Sequence, residues 1–280
     1  MALFKLALKN AYAKPGRFLL TSLAILIGVA LTTAVFVFTD SLRETFGELS
    51  DDIESGYDLA VRSEIPFGNR LNAAPIDLNL PEKLSDVQGV IAVQPRVIEF
   101  GIVPNKADGS AALATRGPNI GINWEDSSPT PRLYVAEGRP PASITEFVID
   151  VDTAADGNFL VGQQYDLQTP QGLRNLTMTG TFYFANPDEN ASIGAKLVAM
   201  DTSSAVELFN SGIGFDDITL TIDTTYGEDD AVANIEAILP DGLEVLTRSD
   251  LVAEQADTFN EFINIFRTIL LVFAFVILFV

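Results

Sequence analysis

The chain has 280 residues, and its 38 acidic side chains outnumber its 17 basic ones, which gives a net charge of −21 at neutral pH. This acidic balance argues against a nucleic-acid-binding protein, because such proteins present a basic surface to the phosphates. The chain contains neither Cys nor His, which excludes disulfides, thiolate zinc sites, cysteine nucleophiles and a Ser-His-Asp triad.

The first 16 residues combine positive charge with one apolar helical face. Residues 1–39 contain no acid and four bases, which are Lys5, Lys9, Lys14 and Arg17. The apolar residues that share one helical face are Leu3, Phe4, Ala7, Leu8, Ala11 and Tyr12. This pattern predicts a cytoplasmic amphipathic helix over residues 1–16 that lies on the inner leaflet of a membrane. A positively charged tail without such a helix is the alternative.

The next segment is long and apolar enough to cross a membrane. Phe18–Phe38 is a run of 21 residues without a charge, and as a helix it is about 31 Å long, which matches the hydrocarbon core of a bilayer. We predict a transmembrane helix over residues 17–39, with the basic N-terminus in the cytoplasm. A cleaved signal peptide is the alternative, but its apolar region is shorter and ends at a small-residue cleavage site.

Two segments show the spacing of a helical seam. The first set of apolar residues follows the predicted span and consists of Leu42, Phe46, Leu49 and Ile53. The second set lies near the end of the chain and consists of Val252, Ala256, Phe259, Ile263 and Phe266. Alternating steps of four and three are typical of a coiled-coil seam. We therefore predict an antiparallel stalk made of helices over residues 40–57 and 249–267. The alternative is that each seam packs on the intervening domain.

The segment between these helices is predicted to be an α+β domain in three parts. Residues 58–116 and 214–248 each show a strand, a helix and a strand, so we predict that they form two halves of one split α/β layer. Residues 117–213 are predicted to be an inserted β-rich subdomain. Outside the insertion, strands are predicted at Asp58–Arg62, Val90–Phe100, Ala111–Arg116, Asp217–Asp223 and Leu243–Thr247. Inside it, they are predicted at Glu146–Ile149, Gln164–Gln168, Leu176–Phe184 and Lys196–Met200, with a helix near Thr202–Phe209.

The last 13 residues, 268–280, form a second apolar run. A helix of this length covers only about 20 Å. We therefore predict a truncated second transmembrane helix and expect the natural chain to continue beyond Val280. The positive-inside rule places the bases Lys5–Arg17 in the cytoplasm, so we predict that residues 40–262, which contain all 38 acids, are extracytoplasmic.

No motif identifies a cofactor site or a catalytic group. The sequence contains neither a G-x-x-x-x-G-K-[ST] phosphate loop nor a G-x-G-x-x-G turn, so it does not bind ATP or a dinucleotide by these devices. The acids Asp150, Asp152 and Asp156 do not fit EF-hand spacing, and we predict that Asp152 and Thr153 cap a short helix instead. No carboxylate pair or serine–lysine pair stands out. We predict no catalytic, cofactor-binding or metal-binding residue in this chain.

Several stretches, taken in order, resemble one family. They are Leu6–Asn10 and Arg17–Ala30 at the N-terminus, the EGRPP motif at Glu137–Pro141 with Glu146–Asp150 and Val161–Gln163 after it, and Asn260–Leu270 before the second apolar run. Together they are similar to the MacB/FtsX-like permeases of ATP-binding cassette transporters. The resemblance implies an α+β membrane protein whose transmembrane helices and helical stalk carry a split porter-like α/β layer with an inserted β-rich subdomain.

The resemblance also implies partners and a mode of action. A separate cytoplasmic ATPase subunit would bind ATP and Mg, and a second permease unit would complete the transporter in the lipid bilayer of the bacterial plasma membrane. The predicted function is that of the N-terminal part of a permease subunit, which couples ATP hydrolysis to export or to lipoprotein or lipid release by mechanotransmission. One alternative is a membrane-anchored binding or sensor module, including FtsX-like regulation of cell-wall hydrolases. Another is an anchored extracytoplasmic hydrolase.

Overall fold

The structure is a computed structural model of the 280-residue chain. It describes residues 15–53, 56–65, 73–115, 117–125, 131–185, 194–210 and 212–279, although some helical side chains in these ranges are not described. The predicted amphipathic helix lies almost wholly outside the described residues. The chain divides into two compact units, of which the first contains Met1–Ser50 and Ala253–Val280 and the second contains Asp51–Val252.

The described elements alternate between helices and short strands. The helices are α1 (Pro15–Ile53), α2 (Leu80–Ser85), α3 (Val151–Gly157), α4 (Thr202–Leu208), α5 (Glu228–Glu236) and α6 (Arg248–Phe279). The first six strands are β1 (Leu59–Ser63), β2 (Val90–Arg96), β3 (Ile98–Phe100), β4 (Val103–Pro104), β5 (Asn119–Asn123) and β6 (Leu133–Gly138). The last six are β7 (Glu146–Asp150), β8 (Gln164–Thr169), β9 (Gly172–Phe184), β10 (Lys196–Met200), β11 (Asp217–Ile222) and β12 (Leu243–Thr247).

The first unit contains most of α1 and α6. In α1, Phe18–Ser41 is 24 residues long and is the one described helix with the length and apolar composition to cross a membrane. The uncharged run Phe18–Phe38 and the entry through Pro15, a residue favoured in the first turn of a helix, account for this long element. Residues 268–279 of the predicted second span (268–280) lie in the last part of α6, and Val280 lies outside the described residues.

The second unit contains the predicted split layer. Four antiparallel strands lie in the order β12-β1-β11-β2, so the halves from either end of the unit interleave. Leu59 of β1 lies opposite Leu220 of β11 on one side and Thr247 of β12 on the other. Along β1 and β11, alternate apolar residues enter the core on the side of α2 and α5. This arrangement confirms the α+β fold class.

A second, larger sheet is inserted between β2 and β11. Its strands follow the order β3-β5-β10-β7-β9-β8-β4, and β6 pairs with β9. The pairs β5–β10 and β7–β9 are parallel, while the other pairs are antiparallel. One contiguous core joins the two sheets, since Leu59 and Leu84 from the split layer belong to the same buried cluster as Phe147 and Phe209 from the insertion.

The insertion begins earlier than the sequence indicates. The predicted strand Val90–Phe100 is two strands, β2 and β3, which belong to different sheets. The change occurs at Val97, whose amide donates to the side-chain oxygen of Asn123 at 2.8 Å instead of continuing the β2 ladder. The predicted start of the insertion at residue 117 therefore assigns β3 and β4 to the split layer, whereas both strands belong to the larger sheet.

The predicted strand Ala111–Arg116 is also wrong over its described residues. Only Ala111 makes a β-bridge, with Asn105, because the Asp108–Ser110 turn closes a short loop there. By contrast, β10 and β12 have the predicted bounds.

Candidate functional site

The two long helices contact each other through aromatic side chains and an arginine. The ring centroids of Phe38 in α1 and Phe266 in α6 are 6.4 Å apart. The Arg267 guanidinium lies over the Phe36 ring, 5.8 Å from its centroid, which is a cation–π distance. Because residue numbers rise along α1 where they fall along α6, the two helices run antiparallel at this contact.

The buried side of α1 follows a helical seam. Gly28, Val35 and Thr39 are buried and Thr32 is half-buried, whereas most large apolar residues of the same helix are exposed. Steps of four, three and four residues place these positions on one face. The Thr32 hydroxyl donates to the Gly28 carbonyl at 2.8 Å and the Thr39 hydroxyl to the Val35 carbonyl at 2.9 Å. Each hydroxyl is therefore paired with a carbonyl of its own helix, which allows it to lie in an apolar environment.

The predicted stalk seam is described on α6 alone. Ile263 is fully buried, while Ile265, two residues further along, is 64% exposed. The other members of that seam, Val252, Ala256, Phe259 and Phe266, are half-buried. The α6 face therefore has the predicted pattern. The side chains of the α1 seam, Leu42, Phe46, Leu49 and Ile53, lie outside the described residues, so their pairing stays a prediction.

In the second unit, hydrogen bonds join the segment that precedes β1 to the start of α6. We call this group of hydrogen bonds around Asp58 and Arg248 the knot. The Arg248 amide, at the start of α6, donates to the Asp58 carbonyl at 2.9 Å, and the Asp58 carboxylate accepts from the Ile222 amide at 2.9 Å. Thr247 and Asp250 form a reciprocal capping box, in which the Asp250 amide donates to the Thr247 hydroxyl at 3.1 Å. In the observed conformation, these bonds join the first turn of α6 to the segment that precedes β1.

Our sequence reasoning missed this knot, although one part of it has a readable signal. Thr247-Arg-Ser-Asp250 before an apolar run has the form of a capping box. Asp58 carries no such signal, because its partners are more than 160 residues away in the chain.

The acidic cluster around Asp150 is a helix cap. Asp150 is fully buried, and its carboxylate accepts from the amides of Thr153 at 3.1 Å and Leu197 at 2.8 Å and from the Thr153 hydroxyl. Burial raises the pKa of Asp150, and these hydrogen bonds oppose the rise. The sequence predicted a helix cap here but placed it at Asp152 and Thr153, which is wrong. Asp150, at the end of β7, is the N-cap of α3, and Thr153 is its donor.

The EGRPP motif also has a structural role. Arg139 forms a two-pronged ion pair with Glu146, with nitrogen–oxygen distances of 2.9 and 2.5 Å. Gly138 has a φ of +79°, and a Cβ there would lie 2.2 Å from the Thr179 carbonyl oxygen. Only glycine fits at this end of β6, where Gly138 lies opposite Gly180 of its antiparallel neighbour β9. The ion pair then fixes the loop that joins β6 to β7.

The arrangement that a metal ion requires is a group of three or more ligands. In the described part of the chain, no group of three or more acids could hold a metal ion. The Lys196 ammonium donates to the Asp156 carboxylate at 3.0 Å, so this lysine is part of an ion pair. We take two features as candidate functional sites, each within its own unit: the contact between α1 and α6 in the first unit and the knot in the second.

Comparison with known proteins places the chain in a structural context. A family model described as the MacB-like periplasmic core domain matches residues 18–238. Among solved structures, the periplasmic region of MacB from Actinobacillus actinomycetemcomitans has 13% identity and a TM-score of 0.50, and the match covers 74% of this chain and 94% of that one. The extracellular domain of the noncanonic ABC-type transporter YknZ from Gram-positive bacteria has 9% identity and a TM-score of 0.47, over 68% and 98% of the two chains. No curated protein matches the chain significantly.

Proposed function

The chain belongs to the family of MacB-like periplasmic core domains of ATP-binding cassette transporter permeases, and on that premise we propose that it couples ATP hydrolysis to movement of its outer domain. The ATP and Mg would be bound by a separate cytoplasmic ATPase, and the work would be export or the release of a lipoprotein or lipid. A second permease unit would complete the transporter. The basic N-terminus would be cytoplasmic and residues 40–262 extracytoplasmic.

The observation that carries this proposal is the antiparallel contact between α1 and α6. The two helices flank the chain segment of the outer domain, so a displacement of one against the other reaches both of its ends. A helix transmits displacement because its backbone hydrogen bonds resist extension, whereas a loop absorbs it. The knot at Asp58 and Arg248 joins the two ends of that domain within a few ångströms.

Substitution of a buried residue in α6 tests the coupling. In the full-length protein purified with its ATPase, Ile263→Asp should leave ATP turnover in place and reduce ATP-driven release at least tenfold, because a buried carboxylate is not tolerated in an apolar helix contact. Ile265→Asp is the matched control, since Ile265 is on the same helix and exposed. Ile263→Ala should give a smaller loss in the same direction.

Membrane insertion of each variant is checked by the protease sensitivity of the outer domain. Unchanged release by a correctly inserted Ile263→Asp protein would contradict coupling through these helices. A chain that neither associates with an ATPase nor releases a cargo would favour the sensor module instead.

A further inference from the structure

Tyr57 contains a buried polar atom without a partner. The residue is 6% exposed, and no hydrogen bond to its hydroxyl is present in the described part of the chain. Tyr165 is a direct comparison, because it is 5% exposed and its hydroxyl accepts from the Leu160 amide at 2.9 Å. Most buried hydroxyls in proteins are paired, and an unpaired one destabilises the conformation that buries it.

Tyr57 lies where the outer domain is joined to the helices. It follows α1 by four residues and packs in one cluster with Ala60 of β1, Leu246 of β12 and Leu251 in the first turn of α6. The guanidinium of Arg96, at the end of β2 in the split layer, lies 5.5 Å from the centroid of the Tyr57 ring. Its ring thus contacts the split layer and the start of α6 together.

The neighbouring arginine is itself held in place. Its Nη2 donates to the Asp217 carboxylate at 2.7 Å, and its Nε donates to the other oxygen of the same group. A bidentate pair of this kind fixes the plane of the guanidinium. The ion pair therefore fixes the position of the guanidinium against which the Tyr57 ring lies.

We propose that Tyr57 is a state-dependent latch, a positioning residue whose apolar ring holds the first turn of α6 on the split layer while its unpaired hydroxyl favours release. In the observed conformation, packing outweighs the cost of the buried hydroxyl. When α6 moves, the hydroxyl reaches water or a new hydrogen-bond partner. The free-energy difference between the packed and the released conformation is therefore smaller than it would be if packing alone determined it. This latch rests on the proposed function for its role in transport, but its local opening is a property of the chain itself.

The first test compares two tyrosines by thermal unfolding. The 280-residue chain has one tryptophan, Trp124, which is buried in the insertion, so the fluorescence of this chain reports unfolding of the outer domain. Tyr57→Phe should raise the midpoint by about 2–4 °C, because it removes an unpaired hydroxyl and keeps the ring. Tyr165→Phe should lower it by a similar amount, because it leaves the Leu160 amide without an acceptor. A lower midpoint for Tyr57→Phe would mean that its hydroxyl is paired, and it would overturn the latch.

The second test measures opening without the ATPase. In hydrogen–deuterium exchange, amides in the first turn of α6 should exchange at least threefold more slowly in Tyr57→Phe and faster in Tyr57→Ala, while Tyr165→Phe leaves them unchanged. Equal exchange in the wild type and Tyr57→Phe would overturn the latch. Slower exchange together with unchanged ATP-driven release would keep the local opening and overturn its role in transport. If the wild type shows no ATP-driven release, the proposed function fails while the exchange result stands.

Discussion

At the scale of single residues, the features that mark the family serve the fold. Arg139 and Glu146 join the two ends of the loop between β6 and β7, and the Ala142 amide donates to the same carboxylate at 3.0 Å. Gly138 permits the close backbone approach to β9 that precedes this loop. The motif is thus a structural clasp between β6 and β7.

The clasp predicts a dependence of stability on pH. The hydrogen bonds from Arg139, followed by the Ala142 amide, lower the pKa of Glu146 from its ordinary value of 4.5. For an acid with a lowered folded-state pKa, the stabilisation is present above the ordinary value and is lost as the pH falls through the folded-state value. We expect the outer domain to lose stability on acidification below about pH 4.5.

Glu146→Gln should show less of this loss than the wild type, together with lower stability at neutral pH. The unfolding midpoint, followed by Trp124 fluorescence at a series of pH values, measures both effects. Glu137→Gln is the control, because Glu137 is exposed in the same motif, and it should follow the wild type. If Glu146→Gln and the wild type lose stability in parallel, the ion pair does not contribute.

At the scale of elements, the helix contact can be tested by crosslinking. The chain has no native cysteine, so introduced pairs react without background. Cysteines in place of Phe38 and Phe266, whose rings are 6.4 Å apart, should be joined efficiently by a short bismaleimide. A pair at Val37 and Phe266 should react poorly, because Val37 lies about 100° away around α1. Proteolysis of the outer domain followed by electrophoresis separates linked from unlinked helices. Equal yields for the two pairs would contradict the antiparallel contact.

Most of the regular elements could be predicted from local pattern. The alternation in Asp217–Ile222 and the apolar run in Lys196–Met200 identify strands β11 and β10. In contrast, β5 contains Gly121 at its centre, where a Cβ would lie 2.5 Å from the Ile102 side chain, and glycine lowers the strand signal. The strand β6 leaves most of its residues exposed, so it lacks a clear alternating face.

The parts that could not be predicted depend on contacts distant in sequence. The break between β2 and β3 comes from Asn123, and the knot comes from Asp58 with Ile222 and Arg248. Nothing in the local sequence distinguishes these polar residues from others in loops. The seam on α6 has a periodic signal, whereas the unpaired Tyr57 hydroxyl is visible only when the surrounding side chains are placed.

At the scale of the whole molecule, the shared core makes the outer domain one body. Its buried cluster includes side chains from both sheets, and bidentate or buried ion pairs fix several surface strands. A body of this kind moves as a unit, so the proposed coupling requires motion between the outer domain and the helices and little motion within the domain.

The most direct measurement of this claim is the distance between two spin labels in the full-length protein with its ATPase in nanodiscs. One pair joins Leu173 in the outer domain to Ile265 in α6, and a control pair joins Leu173 to Ile91 inside the domain; all three side chains are exposed. The account predicts that trapping the ATPase with ATP and vanadate shifts the first distance and leaves the second unchanged. If the first distance stays constant while ATP is hydrolysed, ATP hydrolysis is not coupled to movement of the outer domain through these helices.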